Sequence, residues 1–141
     1  MDKTVCKTYF SITGEFDVAD VSDILKLQCT GGHDIGEKKK YGIGVYDWAG
    51  WEYGTDYIET LSADEQAEFV IAPLLQKVDE LLNIKEKFKC RFILMQVPTV
   101  ENGNTPSLGY SKKIIDFCAK TDTEIRIDLY VNSYISEMDS Q

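Results

Sequence analysis

A chain of 141 residues, 43% hydrophobic and 28% charged, has the length and balance of one globular domain that needs neither metal nor disulfide to stay folded. No apolar run approaches the ~20 residues of a membrane span. The N-terminal Met-Asp-Lys-Thr-Val-Cys-Lys lacks the basic-then-apolar order of a signal peptide, so the expected address is cytoplasmic. A net charge of −9 disfavours nucleic acid and anionic membranes as partners and favours a basic one.

Taken in order, residues 4–13 are rich in β-branched and aromatic side chains (Val5, Tyr9, Phe10, Ile12) and read as a strand ended by Gly14. Asp17 is placed to cap a short helix that carries Val18, Val21, Ile24 and Leu25 at helical spacing. Residues 28–40, with Gly31, Gly32 and Gly36 before Lys38, Lys39 and Lys40, read as a loop with a basic edge.

Residues 41–57 mix glycine, aromatics and acids. They suggest two short strands turning at Ala49-Gly50. Ser62 with Glu65 three residues on forms a capping-box signature for the main helix, which runs to Leu82. Pro73 within it removes a backbone hydrogen bond and clashes with the carbonyl of Phe69, so a kink or a division into two helices is expected.

Residues 89–97, nearly continuously apolar from Phe92 to Met95, read as a central strand. A loop around Asn102-Gly103-Asn104 precedes a helix capped by Ser111, with Ile114, Ile115, Phe117 and Cys118 as its buried stripe.

The strongest periodicity comes last. In residues 124–131, Ile125, Ile127, Leu129 and Val131 alternate with Arg126, Asp128 and Tyr130, which predicts a strand with one buried aliphatic face. The polar tail after Val131 is expected to fray. The order predicts an α+β fold: a mixed, mostly antiparallel sheet with about three helices packed on one face.

Chemistry-bearing motifs are sparse. His33 is the only histidine, too few for a two- or three-histidine metal site, and Gly42-Ile43-Gly44 lacks the third glycine of a dinucleotide loop. Cys6, Cys29, Cys90 and Cys118 are widely spaced, with no Cys-x-x-Cys pair, and read as buried reduced thiols, the alternatives being two disulfides or a zinc site. No cofactor or metal is expected.

Between Tyr41 and Gln76 there is no Lys or Arg, while Asp47, Glu52, Asp56, Glu59, Asp64, Glu65 and Glu68 all fall there. Either this stretch is a solvated surface or it steers a basic partner. Aromatics interleave with these acids, as at interface hot spots. Asp47, Trp48, Trp51, Glu52, Tyr53 and Asp56 are therefore the candidate partner-binding residues. Trp51 could equally lie in the core with Trp48 outside. Asp128 and Tyr130 face away from the aliphatics of their strand and are candidate ligand-binding residues, unless Asp128 is only paired with Arg91 or Arg126.

Tyr9-Phe10-Ser11-Ile12, the helix over residues 17–25, Trp51 ahead of the helical region 61–82, and Ile125-Arg126-Ile127-Asp128-Leu129-Tyr130 together resemble the bacterial domain of unknown function 4279 family. The resemblance runs from about Tyr9 to Val131. It implies a small bacterial cytoplasmic domain, and it carries no catalytic residues to transfer. The expected function is a non-catalytic protein-binding module, of the immunity or antitoxin kind, for a basic partner. The alternatives are a small-ligand binder or carboxylate-based enzyme on the open sheet face, and self-association through a strand edge.

Overall fold

The computed structural model describes residues 3–132. The expected fraying of the tail falls beyond Asn132, outside the described residues. Two long strands carry the architecture: β1 (Val5–Gly14) and β5 (Cys90–Val100). They pair antiparallel over their whole length, from Val5 opposite Thr99 to Gly14 opposite Cys90. Strand β3 (Ala49–Gly54) adds to the other side of β1, and the short β2 (Gly31–His33) adds to β3. On the far side β6 (Thr123–Ile127) lies parallel to β5. The short β4 (Ile58–Glu59) extends along β1, and β7 (Tyr130–Val131) along β5. The sheet is therefore mixed and mostly antiparallel, in the order β2-β3-β1-β5-β6.

Among the described residues, four α-helices pack on one face of this sheet. They are α1 (Val18–Leu25), α2 (Ala63–Ile71), α3 (Val78–Lys87) and α4 (Lys112–Thr121). The expected long helix is divided at Pro73, which sits in a 3-10 turn over Ala72–Leu74. There its missing N–H costs nothing. Strand alternation supplies the other half of the core: Phe10, Ile12, Trp51, Phe92 and Leu94 meet Val21, Leu25, Val70, Leu81, Ile84, Ile114 and Phe117. Ring centroids of Phe10 lie 5.5 Å from Phe92 and 5.9 Å from Phe117, at separations where tilted and edge contacts are favourable.

Both buried glutamines on this face, Gln66 and Gln96, are paired. Thr8 Oγ1 donates to Gln66 Oε1 at 2.7 Å, and Gln66 Nε2 donates to the carbonyl of Cys6 at 2.9 Å. Gln96 Nε2 donates to the carbonyl of Ala63 at 3.2 Å and Gln96 Oε1 accepts from Tyr110 at 2.6 Å.

Several local expectations are corrected. Residues 124–131 do not form one half-buried strand: pairing breaks at Asp128-Leu129, and Ile127, Leu129 and Val131 are exposed. Helix α4, which leads straight back into β6, has 10 residues and spans about 15 Å. The stretch from Thr123 to Val131 runs about 30 Å, so α4 leaves its distal half uncovered. Within α4 itself, Ile114, Phe117 and Cys118 are buried, but Ile115 faces solvent.

No turn forms at Ala49-Gly50, since both residues lie inside β3. The caps also differ. Asp17 and Ser62 make no side-chain capping bond. The carboxylate of Asp34 instead accepts from Val18 N at 2.7 Å, capping α1 from a residue remote in sequence. Ser111 caps α4 as expected, accepting from Ile114 N at 3.4 Å.

Candidate functional site

Residues that pair in register share a face, so the side of the sheet without helices can be read from the ladders. Lys7, Tyr9 and Ser11 of β1 alternate with the core residues Thr8, Phe10 and Ile12. Glu52 stands opposite Ser11 and Gly54 opposite Tyr9. Met95 lies between Tyr9 and Arg126, and Tyr130 pairs with Thr99. Gly54 is required beside Tyr9, because a Cβ there would lie 2.1 Å from the carbonyl oxygen of Thr8 and 2.5 Å from Tyr9 Cα.

An arm formed by residues 34–48 rises from the edge of this face between β2 and β3. Backbone bonds hold it as a narrow hairpin: Gly36 N to Tyr46 O at 2.8 Å, Tyr46 N to Glu37 O at 2.9 Å and Lys39 N to Gly44 O at 3.0 Å. Gly42 and Gly44, with φ of 90° and 95°, turn its tip, a conformation that glycine adopts without steric cost. Tyr41 and Ile43 at the tip are 86% and 97% exposed.

The arm is pinned at its base by aromatic stacking. The His33 ring lies parallel to Tyr46, centroids 3.4 Å apart, and Trp48 meets both rings edge-on at 4.4 and 5.5 Å. His33 Nδ1 is buried there without a hydrogen-bond partner among the described residues.

Sheet and arm enclose an open cavity of about 780 Å3. Its walls combine the aromatics Tyr9, Tyr41 and Tyr46, the carboxylates of Glu52 and Asp56, and the cations Lys7 and Lys40. On the floor, Lys7 Nζ sits 5.4 Å from the ring centroid of Tyr9 and 5.6 Å from that of Tyr57. Burial first, then the charges of Glu52 and Asp128 and the neighbouring Tyr57, push the Tyr9 phenol above its ordinary pKa.

The structure divides the sequence candidates. Glu52 and Asp56 come together in the cavity wall. Asp47 and Trp48 stand at the base of the arm, both exposed. Trp51 is a core residue with no surface to offer a partner; its Nε1 donates to Ser22 Oγ at 3.0 Å. Tyr53 packs against the same core, stacked on Trp51 at 6.4 Å.

Asp128 pairs with neither arginine. Arg91 and Arg126 both engage Glu124, at 3.1 and 2.8 Å, while Asp128 accepts from the Tyr130 hydroxyl at 3.0 Å. That bond raises the pKa of Tyr130, because its proton is shared with a carboxylate. The acidic stretch is likewise split. Glu52 and Asp56 line the cavity and Asp47 stands at the base of the arm, whereas Asp64, Glu65 and Glu68 belong to α2.

Sequence reasoning missed Lys7, Tyr9 and Tyr57. The alternation in β1 could have placed the first two on the open face; Tyr57 reaches them only through the fold. Among the described residues no group of three His, Cys, Asp or Glu side chains is arranged to hold a metal ion. The four cysteines are free, and burial pushes the Cys118 thiol up to about 11, which keeps it protonated and unreactive at neutral pH.

The model of the domain of unknown function 4279 (DUF4279) family matches residues 4–132, and the chain belongs to this family. No curated protein and no solved structure matches it. No helix among the described residues is long and apolar enough to cross a membrane.

Proposed function

We propose that this protein is a non-catalytic binding module that takes a basic protein partner on the open face of its sheet. In a bacterial cytoplasm such a module would suit an immunity or antitoxin-like role, masking a basic toxin. The observation that carries the reading is one juxtaposition. The carboxylates of Glu52 and Asp56 share a concave wall with Tyr9, Tyr41 and Tyr46, beside an arm whose tip exposes Tyr41 and Ile43 next to Lys40. Aromatic anchors supply contact area and their acidic neighbours set on-rate and partner choice.

The test compares wild type with Asp47→Asn/Glu52→Gln/Asp56→Asn as bait in the native cells, washed at low and then high salt. The expected result is a stoichiometric basic protein held by wild type, released by salt and missing from the variant. Equal retention on both baits would overturn the role of this face.

A second reading, a small-ligand site, is favoured by the cavity itself, since about 780 Å3 falls within the usual range of ligand pockets. A thermal-shift hit abolished by Glu52→Gln but indifferent to salt would favour it.

A further inference from the structure

Lys7 is the unusual group on the open face. Its ammonium lies over the rings of both Tyr9 and Tyr57, 5.4 and 5.6 Å from their centroids. Among the described residues it makes no ion pair, although Glu52 and Asp56 line the same cavity. Two tyrosine faces with carboxylates at the margin form a site for a cation, because the ring quadrupole attracts positive charge and the carboxylates accept its N–H groups.

We infer that the Tyr9–Tyr57 pair is the pocket for a guanidinium side chain of the basic partner, and that Lys7 occupies this pocket as an internal stand-in until the partner displaces it. This rests on the binding reading given above and names the group that the site recognises. A guanidinium suits the pocket better than an ammonium: it is planar, stacks on aromatic faces and can present paired N–H donors to Glu52 or Asp56. The charges bearing on the Tyr9 phenol, from Glu52 and Asp128, favour the same occupant. Lys7 rides on a central strand and leaves the pocket by side-chain rotation alone, so displacement requires no change in the sheet.

Hexa-arginine titrated at low salt by isothermal calorimetry tests the inference. Lys7→Gln removes the stand-in and should tighten binding about three- to fivefold, the range of an exposed cation–π contact. Lys40→Gln removes an equal charge from the same cavity without vacating the pocket, and should tighten it less than about twofold. Tyr57→Leu, at an exposed position, should cancel the gain when added to Lys7→Gln.

Equal gains from Lys7→Gln and Lys40→Gln, or no gain from Lys7→Gln, would overturn the displacement mechanism. So would failure of wild type and Lys7→Gln alike to bind the peptide. If Glu52→Gln/Asp56→Asn still abolishes binding while Lys7 has no effect, the pocket is wrong and the open face stands as the binding surface. If that double variant binds as wild type does, both readings fall.

Discussion

The two faces of the same sheet are built on opposite terms. On the covered face, Phe10, Ile12, Trp51, Phe92 and Leu94 interlock with the helices, and the buried glutamines are hydrogen-bonded. On the open face, residues one position away in sequence are Lys7, Tyr9 and Glu52, half-buried and charged or phenolic. Alternation along β1 and β3 thus separates stability from recognition within single strands. Changes on one face should be felt in folding and changes on the other in binding.

The largest effect is expected from emptying the covered face. Trp51→Ala removes a wholly buried side chain and its bond to Ser22; it should cost about 3–5 kcal/mol, read by urea denaturation. Gln66→Ala leaves the Thr8 hydroxyl and the Cys6 carbonyl without their partner. A loss of about 1–3 kcal/mol is expected by the same assay. Asp34→Ala strips the cap from Val18 and should cost about 1 kcal/mol, with faster amide exchange confined to the first turn of α1.

The smallest effect on stability belongs to the open face. Glu52→Gln/Asp56→Asn should move unfolding by no more than about 0.5 kcal/mol while abolishing partner binding. A loss of several kcal/mol from that pair would break the division between the faces.

How far the sequence led follows the same division. Strands β1 and β5, the helices, the break at Pro73 and the α+β class were legible, because each is carried by local periodicity or by one residue with a single steric consequence. Residues 124–131 misled. Their alternation is real, but burial depends on how far α4 reaches, and that is a property of packing. The cap from Asp34 to Val18 was invisible for a similar reason: it joins two segments that only the tertiary structure brings together.

At the site, the acids and aromatics of residues 47–56 drew attention to the edge of the sheet that carries the cavity. Their faces could not be assigned until the register was known. Alternation then placed Trp51 inward and Glu52 outward, and left Trp48 on the arm beside His33. The pairing of Tyr9 and Tyr57 around Lys7 spans most of the first half of the chain and has no local signature.

The central claim is that the open face, not the helix layer, receives the partner. Amide chemical-shift mapping of the full chain titrated with hexa-arginine tests it most directly, because the acidic stretch has one half on each side. Shifts clustered at Tyr9, Glu52, Gly54, Asp56 and the arm are the expected result. Shifts centred on Asp64, Glu65 and Glu68 of α2, with the open face unmoved, would contradict the account.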